Sequence, residues 1–177
     1  EAKGWEVILQ SANGDSDKQI AQIENMLTAG IDVLILGAAD PGATGSVVKQ
    51  AHDEGVIVIG YDRVDANDPY DYFVTFDNVA VGRAMANYAI SVNPTGNYAL
   101  LQGDATTIPA TPEVHQGWLE VLQPLVDSGD ITIAFDQNCK NWSTDEGLAQ
   151  AENALTATNN DLTAILCAND GIAAGAG

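Results

Sequence analysis

The sequence predicts an α/β protein with parallel sheets flanked by helices, and three observations carry that prediction. An amphipathic helical stretch, a glycine and a short β-branched run recur along the chain, and alternating elements of this kind build parallel sheets. The runs are almost wholly apolar, which suits strands covered on both faces. Polar planar side chains gather where the runs end, and open parallel sheets bind ligands beyond the carboxyl ends of their strands.

The elements follow in order. "EAKG" reads as the tail of a helix and "WEVILQSANG" as an opening strand. "DSDKQIAQIENMLTAG" places Ile20, Ile23, Met26 and Leu27 on one helical face. It stops at Gly30, where glycine accepts the left-handed conformation that closes a last turn. The strand "IDVLILG" comes next, then the helix "GSVVKQAHDEG", which stops at Gly55 and feeds "VIVIGYDR". "DYFVTFDN" is a short, half-polar strand, after which "VAVGRAMANYAI" begins a helix and "GNYALLQGD" a new set of strands. "PEVHQGWLEVLQPLVDSG" stops at Gly129 and feeds "ITIAFDQN", and "EGLAQAENALTATNN" feeds "LTAILCAND". "DGIAAGAG" then opens a further helix. The change in pattern near Asp77 divides the chain into lobes at 1–77 and 78–177, joined by a hinge-like crossover, since no low-complexity tether separates them. Starting and stopping inside a repeat, the pattern reads as an incomplete central portion. The first strand of one lobe and the last elements of the other are expected outside it.

Composition narrows the function classes. The 177 residues are 46% hydrophobic, enough for a core, and carry a formal net charge of −19 from 25 Asp or Glu against six Lys or Arg. Gripping phosphates draws on Lys and Arg, so nucleic acid is excluded as a partner; acidity of this kind serves solubility. No stretch approaches the roughly 20 apolar residues of a membrane helix. Cys139 and Cys167, with His52 and His115, show no metal-ligand spacing, so no metal site is expected. A single Cys139–Cys167 bridge and two free thiols both remain open. No G-x-S-x-G, Walker A or G-x-G-x-x-G pattern occurs. No nucleophile is spaced to use either histidine, and both read as surface or capping residues. No catalytic residue, cofactor or enzymatic activity is therefore expected.

The strand ends hold the chemistry. "VIVIGYDR" runs an apolar strand into Asp62 and Arg63, one of only two arginines in the chain. Other strand ends bring Ser11, Asn13, Asp40, Asp77, Asn78, Gln102, Asp104, Asp136, Asn169 and Asp170, with Trp142 a few residues after Asp136. Carboxylates, amides and a guanidinium suit a polyhydroxylated ligand. A carboxylate accepts from two neighbouring hydroxyls, and an arginine fork gives two bonds back. An indole covers the apolar C–H side of a pyranose. The same Asp and Asn positions also suit caps for turns and for the following helices, and Trp142 equally suits a core or surface aromatic.

The ordered segments "SANGDSDKQIAQIENML", "GIDVLILG", "GVIVIGYDR", "FVTFDNVAVGRAMA", "GNYALLQGD", "ENALTATNN" and "ILCAND" resemble the periplasmic sugar-binding proteins of ABC transporters, in their xylose-binding branch. The resemblance covers nearly the whole chain. It implies two α/β lobes closing on one monosaccharide. The family's Asp-Arg pair falls on Asp62 and Arg63, its stacking aromatic on Trp142 and its strand-end Asn on Asn169. One departure is visible: the xylose branch carries an Asn pair where this chain reads "ATTIPATPEVHQG", with Thr111 or Glu113 as replacements. The resemblance further implies capture of xylose or a related pentose or hexose and delivery to a membrane permease. It places the protein in the periplasm or outside the cell, with a lipoprotein anchor as a variant. The alternative from another class is the ligand-sensing core of a sugar-responsive transcription regulator.

Overall fold

The structure, a computed structural model, describes residues 3–63, 69–107 and 109–177. The chain packs as two compact units, Glu1–Thr75 and Phe76–Gly177. No described helix is long and apolar enough to cross a membrane.

The first unit runs α1 (Ser16–Thr28), β1 (Val33–Leu36), a 3₁₀ turn (Pro41–Ala43), α2 (Gly45–Asp53), β2 (Ile57–Tyr61) and β3 (Tyr72–Val74). Asp15 starts α1 by accepting from the Lys18 N–H at 2.9 Å, which satisfies one of the amide donors a helix start leaves open. Gly30 and Gly55 follow the two helices with φ of 79° each, the left-handed turn that glycine enters freely. The strands pair in parallel in the order β1-β2-β3, with Val33 opposite Ile57 and Ile59 opposite Tyr72. Ile23 and Leu27 of α1 and Val47, Val48 and Ala51 of α2 pack on Leu34, Leu36 and Val58. Each large side chain so buried is worth about 1.5–3 kcal/mol over leaving it in water.

Two expectations need correction here. Residues 5–14, read as an opening strand, carry no strand pairing, and Trp5, Val7 and Leu9 stand 64–89% exposed. A strand exists only with a ladder partner, and among the described residues none lies alongside this segment. Glu1 and Ala2 of the helix-tail reading fall outside the described residues, while Lys3 and Gly4 form a turn and bend. Among the described residues of this unit, the first sheet is also covered on one face only. Both helices pack on the side of Leu34 and Val58, so Val33, Ile35 and Ile57 of the opposite face remain 45%, 68% and 44% exposed. A run of apolar residues does not reveal which of its faces finds a cover.

A long-range latch closes this unit. The Asp71 carboxylate accepts from the Val58 N–H at 2.7 Å and lies 3.0 Å from His52 Nε2, joining α2 to β2 and the approach to β3. His52 is thus a paired residue rather than a plain surface one. The Val58 N–H first, and His52 second, hold the Asp71 carboxyl below its ordinary value of 3.8. A depressed carboxyl stabilises the fold above its unfolded value, and that contribution disappears as pH falls through the folded value. Urea unfolding of the first unit should therefore lose more stability between neutral and strongly acidic pH in the parent chain than in Asp71→Asn. Equal losses would show that the latch does not respond to pH.

The second unit runs α3 (Asn78–Val92), β4 (Gly96–Gln102), α4 (Ala110–Ser128), β5 (Ile131–Asn138), a 3₁₀ turn (Lys140–Trp142), α5 (Thr144–Ala157), β6 (Ala164–Cys167) and α6 (Asp170–Ala176). Gly129 ends α4 in the left-handed conformation, φ 83°. The sheet is parallel with order β5-β4-β6. Here both faces are covered, and Tyr98 to Leu101 of the central strand are all 0% exposed. Tyr98 and Leu100 meet Ala86 of α3 and Val114, Trp118 and Leu122 of α4. Leu101 on the other face meets Ala151 of α5 and Ile172 of α6. The chain leaves β4 to one side for β5 and returns to the other side for β6. The topological switch therefore falls at the carboxyl end of β4, where such sheets hold their ligands.

Candidate functional site

In the first unit, the carboxyl ends of β1 and β2 open into a cavity of about 380 Å³, lined among others by Ser11, Asn13, Gln19, Tyr61, Asp62 and Arg63. Gln19, on the sheet-facing side of α1, clamps the loop after β1: its Nε2 donates to the Gly37 carbonyl at 2.9 Å and its Oε1 accepts from the Ala39 N–H at 2.8 Å. The Asp62 N–H donates to the Val74 carbonyl of β3 at 2.9 Å, and the Arg63 N–H donates back to the Tyr61 carbonyl at 2.7 Å. That last bond closes a three-residue turn centred on Asp62, whose φ is 65°. Turns of this kind are rare and strained for a residue with a side chain. Strain of about 1–3 kcal/mol persists where the surroundings impose it, often at functional sites. Among the described residues neither the Asp62 carboxylate nor the Arg63 guanidinium has a hydrogen bond or ion pair to another side chain. Both are half-buried. Two opposite charges thus line one cavity with their bonding capacity unspent.

In the second unit the candidate residues gather at the ends of β4, β5 and β6. Trp142 is half-buried and pinned, its indole Nε1 donating to Thr107 Oγ1 at 3.0 Å. Its ring lies over Gly103, where an added Cβ would come within 2.1 Å of the ring carbons. Asn141 and Trp142 both adopt φ of 55°, an uncommon backbone for asparagine and an outlier for so bulky a residue. Asp104 holds that conformation, accepting from the Asn141 N–H at 2.6 Å and from the Thr106 N–H at 2.8 Å. Asn169 caps α6, its Oδ1 accepting from the Ile172 N–H at 2.8 Å, while its Nδ2 donates to the Trp142 carbonyl at 3.3 Å. An amide has two donors and two lone pairs, so among the described residues one of each stays open. The structure therefore brings Asp62 to Arg63 in one unit and Trp142 to Asn169 in the other.

Several strand-end acids serve the protein itself. Asp40 caps the 3₁₀ turn through the Gly42 N–H, and Asp77 caps α3 through the Ala80 N–H. Thr111, expected as a replacement contact, is buried and donates to the Asp104 carbonyl at 2.7 Å. Glu113 accepts from Asn78 Nδ2 at 3.0 Å. His115 is corrected as well: it is a buttress, its side chain only 22% exposed. Its Nε2 sits 2.8 Å from Asp136 Oδ2, while Gln102 Nε2 donates to Asp136 Oδ1 at 2.5 Å. A carboxylate only accepts, so Nε2 carries the proton. This brace ties α4 to the ends of β4 and β5. Its partners lie 21 and 34 residues apart, too far for local patterning to signal. Gln19 was within reach of sequence reasoning, because it sits one turn before the inward-facing Ile23.

Cys139 and Cys167 are free thiols. They follow β5 and end β6, on either side of β4, so about two strand spacings of roughly 4.8 Å separate their strands, beyond the ~7 Å a disulfide spans between Cα atoms. Burial pushes each thiol up to about 11.

Comparison with known proteins agrees with this architecture. The family model for the periplasmic binding protein domain matches residues 1–177. The chain is 40% identical over 176 residues to the D-xylose-binding periplasmic protein of Haemophilus influenzae, covering 99% of this chain and 53% of that protein. The protein of the same name from Escherichia coli is 39% identical with the same coverage. An ABC transporter solute binding protein from Clostridium phytofermentans, solved with bound β-D-glucose, superposes with a TM-score of 0.86 at 30% identity, covering 99% of this chain and 59% of that one. The chain spans about half the length of the curated relatives it matches. By sequence and by fold, the chain belongs to the periplasmic binding protein domain family.

Proposed function

We propose that this chain carries the sugar-recognising part of an extracytoplasmic receptor that captures a monosaccharide, a xylose-like pentose in the first instance, and delivers it to an ABC permease. The observation that carries the reading is the Asp62–Arg63 pair, half-buried on a strained turn in a strand-end cavity and, among the described residues, unspent on side-chain partners. Asp62 accepts from two adjacent hydroxyls of the sugar, and Arg63 donates a fork to ring or hydroxyl oxygens. Trp142 offers its indole face to the sugar C–H groups, and Asn169 supplies its remaining donor and acceptor. The resemblance, rather than the geometry within either unit, groups these four side chains around one ligand. A sugar held by both units favours whichever arrangement lets all four reach it, by its differential affinity. The relatives named above are transport receptors, which favours capture over transcriptional regulation and a periplasmic location over a cytoplasmic one.

Calorimetric titration of D-xylose, D-ribose and D-glucose into the chain and into Arg63→Ala tests the reading. A charged hydrogen bond worth about 1.5–3 kcal/mol corresponds to roughly a 10- to 150-fold loss of affinity. An Arg63→Ala variant that binds as well as the parent would remove Arg63 from the site.

A further inference from the structure

We propose that Asn13 is a covalent modification site, deamidating spontaneously through a cyclic imide with Gly14 and turning part of the cavity wall from an amide into a carboxylate. Asn13 is the one asparagine of the sequence that glycine follows. It occupies a four-residue turn, Ala12 to Asp15, exposed from Asn13 onward and closed by the Asp15 N–H donating to the Ala12 carbonyl at 3.3 Å. Its two central residues have φ of 56° and 83°, a mirror-image turn that asparagine and glycine favour.

Three features of this turn favour the reaction. The nucleophile is free: among the described residues the Gly14 N–H donates no hydrogen bond. It is also unshielded, because glycine has no Cβ and nothing lies within 4 Å of where one would be. The electrophile is polarised, since Ser11 Oγ donates to Asn13 Oδ1 at 3.0 Å. That hydroxyl points at the oxygen on which negative charge develops when nitrogen attacks Cγ, which is how a hydrogen-bond donor lowers such a barrier.

The steps balance with water as the only co-reactant. The Gly14 nitrogen bonds to Cγ of Asn13 and gives up its proton to solvent. The Cγ–Nδ2 bond then breaks, and the side-chain nitrogen takes up a proton and leaves as ammonia. Water adds to either carbonyl of the resulting five-membered imide and opens it to aspartate or isoaspartate. Nothing is oxidised or reduced. The product places a carboxylate in the same cavity wall as Arg63. The isoaspartate form also lengthens the backbone by one atom just ahead of Asp15, the cap of α1. Where that cavity is the sugar half-site proposed above, the new charge competes with the ligand for Arg63; the modification itself does not depend on that reading.

Ageing the 177-residue chain in warm, mildly alkaline buffer, followed by peptide mapping that separates aspartate from isoaspartate, tests the proposal. Asn13 is expected to convert ahead of every other asparagine, to a mixture of both products. Ser11→Ala, an exposed change whose fold is checked by circular dichroism, should slow the reaction roughly three- to tenfold. That is less than the ~10²-fold of an enclosed oxyanion hole because water reaches the turn. Ser11→Thr should restore the rate. Conversion of Asn13 no faster than that of the other asparagines, or an unchanged rate in Ser11→Ala, overturns the proposal.

Discussion

Alanine at Gly82 is expected to destabilise the second unit by about 1–2 kcal/mol net, although alanine is the better helix former. Helices α3 and α4 touch backbone to backbone at this point. A Cβ on Gly82 would lie 2.1 Å from the Val114 carbonyl oxygen and 2.9 Å from the Gly117 Cα. The reciprocal change at Gly117 would meet the Val79 carbonyl oxygen at 2.2 Å. Neither obstacle is a flexible side-chain tip, so relief requires the helices to move apart. Alanine gains about 1 kcal/mol of helix propensity, which is smaller than the usual 1–3 kcal/mol and more for overpacking a tight core. Parting the helices also loosens Ala86 and Val114, which share the cluster around Trp118. Urea titration followed by tryptophan fluorescence reads the effect as a lowered midpoint. A midpoint equal to the parent's would mean that the helices can separate at no cost.

Trp118→Ala is expected to cost more, about 3–5 kcal/mol, a large share of the 5–15 kcal/mol that stabilises a typical domain. The indole is 0% exposed and sits among Tyr98, Leu100, Leu122 and Ile131. It also meets the His115 ring edge to face, centroids 6.2 Å apart at 77°. Its removal therefore leaves a cavity under the brace that holds the ends of β4 and β5. The indole Nε1 has no hydrogen-bond partner among the described residues although it is buried, and an orphaned buried donor costs about 1–3 kcal/mol. Trp118→Phe removes that orphan and keeps most of the apolar volume, so it should lose much less stability than Trp118→Ala. Equal losses in the two variants would show that the nitrogen has a partner after all, whose loss outweighs the volume that phenylalanine keeps.

The same residues show what local patterning reports and what it cannot. Gly30, Gly55 and Gly129 announced helix ends because a left-handed residue after a last turn is a local requirement, and all three have positive φ. The alternation of helices and apolar runs announced parallel sheets, because a parallel crossover needs an intervening segment. Residues 5–14 do not form the expected strand because pairing is a property of two segments, and their own pattern says nothing of a partner. The open face of the first sheet escaped for a similar reason: the helices chose a side. Strand-end acids posed the hardest problem. Asp62 and Asp77 look alike in sequence, yet Asp77 caps a helix while Asp62 lines a cavity with no side-chain partner among the described residues. His115 met Asp136 only through the crossover from α4 to β5, a distance no periodicity spans.

The sulfur chemistry described above makes the chain a convenient chassis for labelling. With Cys139 buried, Cys167 half-buried and both thiols held near 11, little thiolate exists at neutral pH to meet an alkylating dye, since the thiolate is the reactive form. A single cysteine introduced on an outward-facing position would then take up a maleimide fluorophore by itself. Rearrangement of either unit could be followed optically while Cys139 and Cys167 stay in place.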